Sequence, residues 1–186
     1  RYSELNLSQW KLLEQGIISR DQVKLRRFQL LFDELNITAP AREAAHTYET
    51  LLSQGHYFVD GAEELLKTLY GKYRMYMVTN GTLCVQKGRL KSAGISPYFE
   101  DIFISEELGY NKPGKEYFDC CFSRISDFNR ETAVIIGDSL TSDIQGGINA
   151  GIRTIWFNPS HEKASEIIPD HEFDSLVKLP DLLSHM

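Results

Sequence analysis

From Tyr73 onward, short apolar runs alternate with helical segments that close on glycine, and this alternation restricts the fold more than any other feature. The runs are Tyr73–Thr79, Ile102–Ile104, Ala133–Gly137 and Ile152–Phe157, with His171–Phe173 as a fifth. Each is too short for a buried helix and is bounded by turn residues, so each is predicted as a strand. Between them the spacing predicts helices over Thr82–Ala93, Lys115–Ile125 and Thr141–Ala150, with a last one near Leu179–Leu183. Strands that alternate with helices in this way make an α/β fold, a parallel sheet with helices on both faces. Such a sheet takes its ligand just beyond the carboxyl ends of its strands. The residues that matter are therefore Thr79–Gly81, Ser105–Lys112 and Asp138–Asp143.

The first third has a different character. Leu5–Leu13 has helical spacing and Gly16 ends it. Ser19, with Gln22 three residues on, forms a capping-box pattern. Val23, Leu25, Phe28, Leu31, Phe32 and Leu35 then share a wide apolar face. Asn36 and Pro40 break the pattern, and Ala41–Leu52 reads as a third helix before Gly55. Asp60 is the expected cap of a further helix through Leu65, Leu66 and Leu69, stopped by Gly71. The division expected is a helical unit over 1–57 and an α/β unit over 58–186.

Composition narrows the function. The 186 residues carry a net charge of −6, whereas a binder of nucleic-acid polymers is usually basic. A small anionic ligand remains compatible, since a local positive field can override the net charge. No apolar run approaches the roughly 18 residues needed to cross a bilayer. Cys84, Cys120 and Cys121 form neither a disulfide framework nor a metal-binding pair, which suits a reducing, cytoplasmic setting.

Three strand ends carry candidate chemistry. Thr79-Asn80-Gly81 offers a hydroxyl and backbone N–H groups before a helix, an anion site in form, although each is also an ordinary turn residue. Lys112 could neutralise a phosphoryl group, although most lysines are solvated. Asp138 and Asp143 follow the clearest strand and could hold Mg²⁺, although Asp is common in loops and in first helical turns.

In this chain order, hydroxyl, lysine and carboxylate pair resemble the haloacid dehalogenase-like (HAD) hydrolase superfamily. Thr79 matches its second motif, Lys112 in a Lys-Pro context its third, and Asp138 with Asp143 its acidic fourth motif. The stretches MVTNG, GYNKPGKEYF and IGDSLTSDIQGGINAGI look most like the pyrimidine-type 5′-nucleotidases. The resemblance implies a Rossmann-like core with a helical cap and an Mg²⁺-dependent phosphatase. Its substrate would be a small phosphorylated metabolite, in the first instance a nucleoside 5′-monophosphate. It further implies that Asp138 holds the cation with Asp143 behind it, that Lys112 offsets negative charge, and that Thr79, Asn80 and Gly81 hold phosphoryl oxygens. Ser139 would lie near the metal. A broad-specificity sugar phosphatase and a non-catalytic phosphate-binding protein are the alternatives, and the two acidic residues make dehalogenation a weak one.

The family's first motif, DxDxT, supplies the nucleophile and the general acid–base. No Asp-x-Asp occurs in this sequence. In the family that motif ends a central first strand ahead of the cap, so the expectation is that this strand lies upstream of Arg1. Orphaned buried backbone groups cost about 1–3 kcal/mol each, against about 5–15 kcal/mol of stability for a domain. Residues 1–186 alone are therefore expected to be inactive and poorly stable. The segment 1–57 is expected to act as the cap, with Trp10, Arg26, Arg27 and Tyr48 as candidate readers of the leaving group; core packing or a solvated helix face is the ordinary role of such residues.

Overall fold

A computed structural model describes residues 1–163 and 166–186. In chain order its elements are α1 (Tyr2–Glu14), α2 (Arg20–Leu35), α3 (Ala41–Gln54), α4 (Ala62–Leu69), β1 (Tyr76–Thr79), α5 (Leu83–Ala93), β2 (Asp101–Ile104), α6 (Ser105–Leu108), α7 (Lys115–Phe122), β3 (Val134–Gly137), α8 (Gln145–Ala150), β4 (Arg153–Phe157), β5 (His171–Phe173) and α9 (Leu179–Ser184). They form two units, Arg1–His56 with Thr82–Ala93, and Tyr57–Gly81 with Gly94–Met186.

The first unit is all helix. Both halves of the capping box form at α2: the Gln22 N–H donates to Ser19 Oγ at 3.3 Å and the Ser19 N–H to Gln22 Oε1 at 2.8 Å. Leu13, Ile18 and Val23 are buried together, with Trp10 and Leu12 against them. Helix α5 belongs here by its contacts. Ser92 Oγ donates to the Gln54 carbonyl at 3.0 Å, and Thr82 Oγ1 reaches Glu49 Oε1 at 3.3 Å.

The second unit holds two parallel sheets. One pairs β1 with β2, setting Thr79 opposite Ile104. The other runs β3-β4-β5, with Gly137 opposite Trp156 and Phe157 opposite Phe173. Among the described residues β1 and β3 each keep one edge without a strand partner. One apolar layer nevertheless serves both sheets. Tyr76, Val78 and Phe103 from the first join Ile135 from the second beneath Tyr117, Phe118 and Cys121 of α7. Period-two alternation sends the neighbours of Ile135, Val134 and Ile136, to the opposite face, where Ile155, Phe173, Leu65 and Leu179 cover them. Both faces of β3 and β4 are buried, as parallel strands require. The class is thus the α/β, Rossmann-type fold with a helical cap unit that the sequence predicts.

Details depart from the sequence reading. Asp60 does not cap α4; Gly61 takes that position at φ 82°, a conformation glycine adopts without a Cβ clash, and no side chain caps the helix. The helix expected from Thr141 begins instead as a π-helical turn over Leu140–Ile144. Strand β1 starts at Tyr76, not Tyr73; ahead of it the Arg74 guanidinium donates to Glu100 and to the Ser126 carbonyl. Among the described residues no helix is long and apolar enough to cross a membrane.

Candidate active site

The carboxyl ends of β1 and β3 are tied together by side chains. At the end of β1 the Thr79 N–H donates to the Tyr117 hydroxyl at 3.0 Å, and that hydroxyl donates to the Phe103 carbonyl at 2.7 Å. The N–H and C=O of one trans peptide point in opposite directions. With the Thr79 N–H turned toward β2, the Val78 carbonyl faces the open edge of β1. There Lys112 Nζ donates to it at 3.0 Å.

The same ammonium meets Asp143 Oδ1 at 2.6 Å. Both side chains are buried, 8% and 10% exposed. Burying an ion pair is costly unless the pairing and further hydrogen bonds offset the loss of water. Here Val78 supplies one such bond, and the Ser139 N–H supplies another, to Asp143 Oδ2 at 3.1 Å. Asp143 can fold back this far because residue 137 is glycine: a Cβ there would stand 2.3 Å from the carboxylate carbon. The π-helical turn makes the same return possible, with the Asp143 and Ile144 N–H groups both donating to the Ser139 carbonyl.

Asn80 clasps the Lys112 backbone with both ends of its amide. Its Nδ2 donates to the Lys112 carbonyl at 2.8 Å and its Oδ1 accepts from the Lys112 N–H at 2.8 Å. Nδ2 also reaches Ser142 Oγ at 3.3 Å. The Lys112–Pro113 peptide is cis. Thr79, Asn80, Lys112 and Asp143 are therefore brought together. The Asn80 side chain is spent on Lys112, which leaves its backbone, with that of Gly81, for a ligand.

Asp138 differs from Asp143. It is exposed, and its carboxylate has no hydrogen-bond or ion-pair partner among the described residues. Its carbonyl is anchored by the Trp156 indole N–H at 2.9 Å. Mg²⁺ takes one or two carboxylates together with phosphate oxygens and water. A single free carboxylate at a strand end fits that habit. Among the described residues no three His, Cys, Asp or Glu side chains gather to hold a metal by themselves. Ser139 spends its Oγ accepting from the Ser142 N–H, capping the turn.

Tyr117, Ser142 and Trp156 were missed by sequence reasoning. The available signal was weak: a buried Tyr or Trp needs a partner for its polar tip. Burial, and after it the neighbouring Cys121 thiol, pushes the ionisation of Tyr117 far above the ordinary phenol value, so it remains a donor to Phe103. Burial likewise pushes Cys121 up to about 12. Of the proposed leaving-group readers, Trp10 packs against the helical core and Arg26 is exposed. Arg27 is buried, 4.8 Å over the Tyr48 ring, with Nη1 on Asn6 Oδ1 at 3.0 Å.

A parallel-sheet core that brings a buried lysine and a carboxylate together beyond its strand ends is the frame of an α/β-class hydrolase. The model of the haloacid dehalogenase-like hydrolases matches residues 10–157, and the chain belongs to that family. It is similar to pyrimidine 5′-nucleotidase PynA of Streptococcus pneumoniae, 39% identical over 184 residues, 98% of this chain and 78% of PynA. Pyrimidine 5′-nucleotidase YjjG of Escherichia coli is 32% identical over 183 residues, 98% of this chain and 80% of YjjG. Among solved structures, the HAD-hydrolase YfnB of Bacillus subtilis, bound to magnesium, superposes with a TM-score of 0.92 at 40% identity, over 98% of this chain and 80% of YfnB.

Proposed function

We propose that the protein is an Mg²⁺-dependent phosphate monoester hydrolase acting on nucleoside 5′-monophosphates, with pyrimidine nucleotides foremost. The observation that carries this reading is Lys112, whose ammonium joins the Val78 carbonyl at the end of β1 to Asp143 after β3. It puts a fixed positive charge between the strand ends, where an anion must be neutralised. Thr79 Oγ and the N–H groups of Asn80 and Gly81 hold the phosphoryl oxygens beside it. The relatives named as pyrimidine 5′-nucleotidases support the leaving group, and the magnesium in YfnB supports the cation.

Asp138 would hold the Mg²⁺, with Asp143 behind it, kept in place by Lys112 and the Ser139 N–H. The cation, when bound, supplies charge neutralisation at the phosphate. The attacking carboxylate is proposed to come from a strand lying along the open edges of β1 and β3, since no Asp-x-Asp occurs in these 186 residues. Its oxygen forms a bond to phosphorus while the ester P–O bond breaks, and a proton passes to the departing alcohol. Water then cleaves the acyl phosphate. The helical unit is proposed to be the cap that excludes water and reads the leaving group. It is further proposed that the protein works in the cytoplasm.

The test is phosphate release by the full-length gene product with Mg²⁺, from UMP and CMP and from a panel of sugar phosphates. Turnover of UMP and CMP is expected. Silence on every nucleotide ends the nucleotidase reading, and activity confined to sugar phosphates moves the leaving group to that class.

A further inference from the structure

A tyrosine, Tyr117, is completely buried, 0% exposed, beneath the end of β1. A phenol in an apolar layer brings a polar atom that phenylalanine would not, and it must be satisfied there. The Tyr117 hydroxyl is satisfied twice, by the Thr79 N–H and the Phe103 carbonyl, at the last rung of the β1–β2 ladder. The ring also packs edge-on against Phe118, 5.4 Å between centroids, so its place is fixed from the side as well. Phenylalanine would fill nearly the same volume, so packing alone does not account for the hydroxyl.

The place of Tyr117 in the chain supplies the account. It lies in the first turns of α7, which starts at Lys115, just after Lys112. Its own N–H donates to the Gly114 carbonyl at 3.2 Å, and the Gly114 N–H to the Asn111 carbonyl at 2.9 Å. The lysine loop and the start of the helix that carries the phenol are therefore joined by consecutive backbone hydrogen bonds. The phenol holds the Thr79 backbone to that segment, and the Asn80 amide holds the Lys112 backbone from the other direction. Two cross-links with no atom in common connect the Thr79–Gly81 turn to the Lys112 loop.

We infer that Tyr117 is a positioning residue: its hydroxyl fixes the Thr79 backbone so that the hydroxyl and N–H groups of residues 79–81 are preorganised for a phosphoryl group beside Lys112. This rests on the phosphate monoesterase reading. A turn already ordered pays less entropy when the ligand arrives. These groups contact the phosphoryl oxygens in the ground state as well as the transition state. Loosening them therefore weakens binding more than it slows chemistry.

The experiment compares Tyr117→Phe with Phe118→Leu in the full-length protein. Phe118→Leu disturbs the same apolar layer without touching the hydroxyl. Tyr117→Phe is expected to raise KM for the nucleotide, and the inhibition constant of inorganic phosphate, about tenfold, the scale of one lost hydrogen bond. Its kcat should change far less than its KM. Phe118→Leu is expected to lower Tm and leave KM in place. Should Tyr117→Phe not fold, 3,5-difluorotyrosine at position 117 keeps the volume but makes the oxygen a poorer acceptor for the Thr79 N–H, and KM should again rise. A variant that loses Tm with KM and phosphate inhibition unchanged overturns the assignment. A wild-type protein that neither hydrolyses the esters nor binds phosphate overturns the underlying reading instead, and this assignment with it.

Discussion

The two units treat buried charge in opposite ways. In the α/β unit the Lys112 ammonium is paired with Asp143 and hydrogen-bonded to Val78, while the second oxygen of Asp143 takes the Ser139 N–H. In the helical unit Arg27 is as deeply buried, 5% exposed, yet no carboxylate lies within ion-pairing distance among the described residues. Its Nε has no partner, nor has the buried Oε1 of Gln9. It lies instead against the Tyr48 and Phe28 rings. The difference separates a charge held by an opposite charge from one held by rings and a single neutral hydrogen bond, to Asn6 Oδ1. Removing a member of the ion pair strands another buried charge. Removing Arg27 strands no charge, only the neutral Asn6 acceptor.

The sharpest break comes from Lys112→Met. It leaves Asp143 buried beside an apolar stem, and loss of one partner of such a pair costs about 3–5 kcal/mol. Chemical denaturation should register that loss, with phosphatase activity gone; a variant as stable as wild type would mean the pair is not buried. Asp138→Asn comes next. The side chain is exposed and unpartnered, so stability should stay within about 0.5 kcal/mol. Activity should nonetheless fall about a hundredfold, with half-activation moved to higher Mg²⁺, if Asp138 holds the cation. Equal activity across a Mg²⁺ titration would remove Asp138 from the metal's ligands. Ser19→Ala opens the capping box and should cost about 1 kcal/mol, read as a lower Tm. Arg27→Met should have the smallest effect on stability, under about 1 kcal/mol, because desolvation and cation–π contact oppose each other. A loss as large as that of Lys112→Met would erase the contrast between the units.

How much of this was legible in the sequence follows from how local each signal is. The strands and the Ser19 cap depend on neighbours a few residues apart, and both are read directly from spacing. Thr79, Lys112, Asp138 and Asp143 stand out because they follow strands and their order resembles one family; the structure joins the end of β1, Lys112 and Asp143 and leaves Asp138 exposed. Tyr117 and Trp156 do not stand out, because each reaches a backbone group far along the chain, at Thr79 and at Asp138. Asp60 misled because Asp favours caps, while the helix starts one residue later, from Gly61, whose φ of 82° suits a residue without a Cβ. The π-helical turn escaped because the helical period hides one extra residue, and the Asp143–Lys112 pair that goes with it joins residues far apart in the chain.

Gly137 has a consequence for how this gene can vary. Every missense change at that codon adds at least a Cβ, and the space it would need is filled by the Asp143 carboxylate, 2.3 Å away. Even alanine would evict the carboxylate, and with it the counter-charge of Lys112. A library of random variants selected only for soluble expression should therefore be depleted at Gly137 while freely accepting changes at Asp138 next to it. Under selection for activity both positions would become fixed. One position is held by lack of room and the other, on the proposed function, by chemistry, and the two kinds of selection would tell them apart.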